Sequence, residues 1–209
     1  MDILEKLNWR YATKAFDPSK KLNNEQLSRL LEATNLAPTS FGLQPFKILL
    51  IETSDIRVKL QKAAWNQPQT TEASHLLIFA ANLELNDDDI DNFLSRTSEI
   101  RNIPLSSLAE YETMMKGFVA QMTSNDLAIW SAKQAYIALG QLMVAASVEG
   151  IDTCPMEGFD KGAVDKILDL PNQKLGSVVM AAVGFRSKDD KYQHLPKVRK
   201  PLDEIIIKL

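Results

Sequence analysis

Arg10 and Lys14 lie four positions apart near one end of this chain, and Lys197 and Arg199 lie two apart near the other. The net charge is −3, so cations clustered at two places need a use. In an extended segment, positions i and i+2 point the same way. Two cations on one face can grip a phosphate, the arginine bidentately. A single Lys-x-Arg is more often solvated surface charge. Pro155-Met156-Glu157-Gly158-Phe159 reads as a strand-to-helix turn whose glycine admits a flat ligand close to the backbone, with free N–H groups pointing out. Alone, it is only a turn. Cys154 would be a nucleophile if a base activated its thiolate. Nothing places His75 beside it, and a small buried hydrophobe is the plainer reading.

Other chemistries lack their motifs. No stretch matches G-x-G-x-x-G or the P-loop, and the eight glycines stand apart. This argues against a Rossmann dehydrogenase and a P-loop NTPase. The two histidines, His75 and His194, lack H-E-x-x-H spacing, so no zinc site is expected. Asp87-Asp88-Asp89 with Asp91 fails the EF-hand pattern, which wants Gly at Asn92 and Glu at Ser98. These acids read as the first turn of a helix capped by Asn86.

The elements that must position these residues follow from apolar spacing. A short helix is predicted over 2–7, then an extended piece over 10–14. Asn23 and Gln26 form a capping box for a helix whose inner stripe is Leu27, Leu30, Leu31 and Thr34. Residues 37–45 are loop. Phe46 to Ile51 has strand length, a helix capped by Thr53 or Ser54 runs to Ala64, and 65–69 is loop. Leu76 to Ala81 is apolar without a break, as in a strand buried on both faces. Helices are predicted over 86–101 and 105–121, separated by Pro104. The longest helix starts at Thr123 or Ser124 and is ended by Gly150. It is apolar nearly all round, as for a helix buried in a core or a subunit interface. A strand at 153–156, a helix from Asp160 to Leu168, a strand at 177–185 and an apolar tail at 202–209 complete the chain. Without strict βαβ regularity, the fold class is α+β with a mixed sheet.

With 209 residues, 45% hydrophobic, the chain suffices for one sizeable core, so 1–209 is read as a single domain. A pI near 5.5 argues against nucleic acid or an anionic membrane as partner. The apolar stretch 127–148 carries Lys133, Gln134 and Gln141 and does not read as a membrane span. One cysteine and an acidic start without an apolar core point to a reducing, cytoplasmic setting.

Taken in order, these pieces resemble the nitroreductase family, in particular its oxygen-insensitive NAD(P)H nitroreductase and dihydropteridine reductase branch. The matching text is Arg10-x-x-Thr13-Lys14-Ala15-Phe16-Asp17, Pro38-Thr39-Ser40 with Gln44-Pro45, and Ala73-Ser74-His75. It continues with Ala132-Lys133-Gln134-x-Tyr136, Pro155 to Asp160, and Leu195-Pro196-Lys197-x-Arg199. The resemblance covers essentially the whole chain.

It implies a mixed sheet flanked by helices and an intertwined homodimer built on the long core helix, with two FMN sites at the interface. It further implies that the tail after Pro201 crosses to the partner. By the same resemblance, Arg10, Lys197 and Arg199 hold the FMN phosphate, and Lys14 approaches the pyrimidine edge. Tyr11, Ala12, Gly42 and Gln69 line the cofactor site where the family more often has His or Arg, Ser, Asn and a second Lys. Pro38, Thr39 and Ser40 come from the other subunit, and Asn66 bonds the polar rim. Pro155 and Met156 lead into Glu157 and Gly158, whose N–H groups serve N5 and O4. Gln134 reaches the flavin from the core helix, and Phe41 and Phe118 cover the open face. The implied activity carries two electrons from NADH or NADPH to a small acceptor such as a nitroaromatic or quinone, by a ping-pong cycle with no side-chain acid. A flavin, dihydropteridine or enone reductase on the same scaffold is the near alternative. A thiol hydrolase using Cys154 is the distant one.

Overall fold

The computed structural model describes residues 2–209. Its helices are α1 (Ile3–Trp9), α2 (Asn24–Asn35), α3 (Ser54–Ala63), α4 (Gln69–Glu72), α5 (Asp87–Arg101), α6 (Ala109–Ala120), α7 (Ser124–Val148), α8 (Lys161–Ile167) and α9 (Leu202–Ile205). Its strands are β1 (Phe46–Ile51), β2 (His75–Asn82), β3 (Asp152–Met156) and β4 (Leu175–Gly184). The architecture is α+β.

The strands form one sheet in the order β1-β2-β4-β3, and every neighbouring pair is antiparallel. The mixed sheet expected from sequence is not what these four strands make. Two helical pieces join each sequential pair that is also adjacent in the sheet: α3 and α4 between β1 and β2, and α8 and a 3₁₀ turn at Pro171–Gln173 between β3 and β4. The chain therefore re-enters from the end it left, instead of crossing over once. Among the described residues the one parallel pairing is the isolated bridge Ala12↔Thr153.

Alternation along β2 sends its side chains into two cores. Leu77, Phe79 and Ala81 pack with α7 residues Ala135, Ala138, Leu139 and Leu142. Leu76 and Ile78 pack with Leu60, Cys154, Met156 and Val164 on the opposite face. This is why β2 reads as a continuous apolar run. A third cluster, Ile90, Leu94 and Met115, ties α5 to α6 and receives Phe41 and Leu43.

Caps set the boundaries. Asn23 and Gln26 make the predicted capping box, and Thr123 makes another with Asp126 at the head of α7. Gly150, at φ +71°, follows the end of α7 in the left-handed region that suits glycine. The helix expected over 105–121 is split. After Pro104 the chain makes a 3₁₀ turn, Leu105–Leu108, with the Ser107 hydroxyl donating to the Pro104 carbonyl at 2.6 Å. Helix α7 buries Leu127, Ser131, Gln134, Ala135, Ala138, Leu139, Leu142 and Ala146. Its other side leaves Ile129, Ile137 and Val144 37–46% exposed, so one chain covers only half of an apolar helix.

Candidate active site

The segment after α1 and the segment after β4 lie side by side. Phe16 bridges Arg186, Asp17 N–H donates to Phe185 O at 2.8 Å, and Ser187 N–H donates to Ala15 O at 2.9 Å. Asp190 then clamps the pair. It is 2% exposed and accepts from the N–H groups of Lys14 (2.7 Å), Ala15 (3.0 Å) and Tyr192 (2.9 Å). Burial pushes its carboxyl up, but these N–H groups outweigh burial and hold it below the ordinary range. Asp152 pins the same segment through Arg186, whose guanidinium stacks 4.2 Å over Trp9 and 4.6 Å over Tyr11. Burial, then the neighbouring Asp190, pushes the Tyr11 phenol up to about 12.

This pairing brings Arg10 to Lys197 and Arg199. The Lys197 ammonium donates to the Arg10 carbonyl. Burial and the charge of Arg199 lower the pKa of Arg10. Burial, then Arg10 and Arg199, lowers that of Lys197. Buried Nε of Arg10 has no hydrogen-bond partner among the described residues. Three cations thus converge without a carboxylate to neutralise them. They line a pocket of 360 Å³ together with Tyr11, Ala12 and Lys14. A larger cavity of 730 Å³ lies between β1 and α5, where Gly42 alone of the predicted residues reaches it. Its cations, Lys47 and Arg96, are balanced by Asp89 and Glu99, so it has no preference for an anion.

Lys14 and Gln69 meet at Cys154. Lys14 Nζ is 3.9 Å and Gln69 Nε2 4.0 Å from its sulfur. Gln69 is 4% exposed, yet its Oε1 has no partner among the described residues. Two residues beyond Cys154, β3 ends and the turn at Glu157 begins. Gln67 Nε2 donates to Gly158 O at 2.7 Å. A Cβ on Gly158 would stand 3.0 Å from Trp65 Cζ3, so a side chain here would have to push that ring aside. Trp65 and Asn66 both sit at positive φ, +53° and +60°, and Asn66 is exposed beside the turn's partner loop. The N–H groups of Glu157 and Gly158 have no acceptor among the described residues.

The remaining predicted residues form a second group. Ser40 N–H donates to Gln134 Oε1 at 2.8 Å, and Gln134 Nε2 donates to Trp130 O at 3.2 Å. The amide of Gln134 is thus committed to holding the Pro38–Ser40 loop. Phe41, at φ +58°, meets Phe118 edge-on at 5.1 Å, and Phe118 meets Trp130 at 5.9 Å. Gly42, at φ +78°, completes the bend. No hydrogen bond or ring contact joins this group to the cationic one among the described residues. Helix α7 touches the loop through Gln134 and the turn at Glu157 through Tyr136, whose hydroxyl donates to Glu157.

Cys154 is fully buried, and burial raises its pKa against the opposing pull of Lys14 and Gln69. His75 is bonded instead to the Ser74 hydroxyl at 2.9 Å. The thiol hydrolase therefore has neither an exposed nucleophile nor a base. Asp190, Asp152, Arg186, Trp65 and Gln67 were missed from sequence. They act on backbone or on rings brought near by the fold, and no local pattern marks them.

A Staphylococcus epidermidis protein, by name a candidate NAD(P)H nitroreductase, is 34% identical over 98% of this chain and 95% of its own. The similarly named YfkO of Bacillus subtilis is 33% identical over 98% and 96%. Among solved structures, a candidate nitroreductase of Exiguobacterium sibiricum in complex with FMN superposes with a TM-score of 0.88, at 21% identity over 100% and 98% of the two chains. An enone reductase of gut-bacterial fatty acid saturation has the same fold, with a TM-score of 0.84 at 20% identity over 100% and 98%. The model of the nitroreductase family matches residues 7–185, and the chain belongs to that family.

Proposed function

We propose that this chain is an FMN-dependent oxidoreductase that carries two electrons from NAD(P)H to small acceptors, nitroaromatics or quinones among them, in a ping-pong cycle. Residues 1–209 would form one FMN-binding domain per protomer of a homodimer. The observation that carries this reading is the unneutralised convergence of Arg10, Lys197 and Arg199 in an acidic chain. Family membership and the FMN held by the Exiguobacterium protein support it.

The residues present fit such a cofactor. Arg10 Nε is a buried donor without a partner, as an anion's binding group is before the anion arrives. The free N–H pair at Glu157 and Gly158, with no side chain on Gly158, suits the edge of a flat ring. The orphaned, buried amide oxygen of Gln69 awaits a polar partner.

Bound FMN would supply the electron chemistry, and the protein binds, orients and biases it. Arg10, Lys197 and Arg199 hold the phosphate. Lys14 would set its ammonium near the pyrimidine edge and supply positive charge there to offset negative charge on the ring. The N–H groups of Glu157 and Gly158 and the side chain of Asn66 fix the ring's polar rim. Tyr11, Ala12, Pro155 and Met156 complete the floor. Pro38, Thr39, Ser40 and Gly42 would close over it from the partner, and Phe41 and Phe118 would line the open face that receives nicotinamide and acceptor. Gln134 serves the site by holding the Ser40 loop.

The test is the visible spectrum of the purified protein before and after anaerobic NAD(P)H. A yellow protein that bleaches, and recovers its colour with a quinone, is expected. A colourless protein that refuses added FMN overturns the reading.

A further inference from the structure

Tyr136 lies on α7, and its hydroxyl donates to Oε1 of Glu157 across to the turn that follows β3. Burial, then the bond and charge of Glu157, pushes the phenol up to about 12, so the proton stays on Tyr136 at working pH. Neither side chain has a part in the electron transfer described above.

The backbone around Glu157 is otherwise committed. Glu157 O accepts from Phe159 N–H at 3.0 Å, and Gly158 O accepts from Gln67 Nε2 at 2.7 Å. Asp160 N–H donates to Ala63 O at 2.9 Å. The N–H groups of Glu157 and Gly158 remain, and both are open among the described residues. The side-chain acceptor closest to them along the chain is the carboxylate of Glu157 itself. Adjacent free N–H groups attract an anion, and a released carboxylate would fold back over them. It would also set a negative charge beside any anionic ligand.

We propose that Tyr136 is a positioning residue. Its hydroxyl keeps the Glu157 carboxylate on the α7 side, so that the two N–H groups stay open to the ligand. This rests on the reading above, in which those groups serve FMN. The ring of Tyr136 stays in place when its hydroxyl is removed, so Tyr136→Phe releases the carboxylate without opening a cavity.

The test compares FMN binding to the apoprotein of the wild type, of Tyr136→Phe and of Tyr136→Phe/Glu157→Gln, by quenching of flavin fluorescence. Thermal melts confirm that all three fold. Tyr136→Phe is expected to weaken FMN roughly tenfold, the size of one lost competition between hydrogen bonds to a charged group. The double variant, whose neutral amide competes less for the N–H groups, recovers most of that loss. Equal affinity of Tyr136→Phe and wild type overturns the proposal. So does a loss that the second substitution leaves in place, since packing alone would produce it. A wild type that binds no FMN brings down the cofactor reading as well, and is told apart by that result.

Discussion

The cationic cluster is stable only against its own repulsion, which gives it a signature of two opposite signs. Arg199 lowers the pKa of both Arg10 and Lys197. Arg199→Ala should therefore weaken FMN by roughly 10- to 100-fold, the range for a charge-assisted contact. It should also raise the melting temperature of the FMN-free protein by about 1–2 °C as the repulsion relaxes. Fluorescence titration and a melt read the two effects, and a fall in both would count against a ligand-binding role. The pH dependence has the same split. With Lys197 lowered from its ordinary 10.5, the unfolded chain binds more protons between the folded and unfolded values. Stability of the FMN-free protein rises with pH through that window, whereas FMN affinity falls there because the cation is being lost. Gln69 offers another test. A cation at this buried position would stabilise the charge gained on reduction, so Gln69→Lys should raise the two-electron potential by tens of millivolts, where about 30 mV corresponds to 1.4 kcal/mol. A redox titration with no shift, or a downward one, rejects this.

At the scale of elements, Asp190 joins the strip 14–15 to the strip 187–192 through the N–H groups of Lys14 and Ala15, and accepts a third from Tyr192 in its own strip. Asp190→Ala leaves those donors unpaired and should cost about 2–3 kcal/mol in chemical denaturation. FMN affinity should fall with it, because Lys14 loses its placement. Asp190→Asn, which retains one acceptor oxygen, should recover part of both. None of this was legible in the sequence. An aspartate in a polar stretch has no periodicity, and its role depends on which backbone the fold lays beside it. What was legible followed from local physics. The capping box at Asn23, the start of α7 at Thr123 or Ser124, the unbroken apolar run of β2 and the length of α7 are properties of short windows. The pairing of Arg10 with Lys197 and Arg199 was legible as residue type but not as geometry, since only the resemblance joined the two ends. The antiparallel sheet was not legible, because strand direction depends on how two helical pieces return the chain.

At the scale of the molecule, one protomer leaves much apolar surface open. Ile137 on α7 is 42% exposed, and Ile205, Ile206 and Ile207 in the closing arm are 53–81% exposed. The homodimer proposed above would cover these and bring the Ser40 loop of one protomer to the cations of its partner. Ile137→Glu should then shift the mass in solution from dimer to monomer and release FMN in the same step. A variant that becomes monomeric yet keeps its FMN would show that each chain holds its cofactor alone. The side-by-side strips 10–17 and 185–199 also impose an order on biosynthesis. In the proposed site the anion grip would join residue 10 to residues 197 and 199, so it would form only once residue 199 had been made. A nascent chain arrested before Lys197 would have all four strands of its sheet and still lack the proposed grip on the flavin phosphate. On that reading, a protein cut before Lys197 would be pale before it was unfolded.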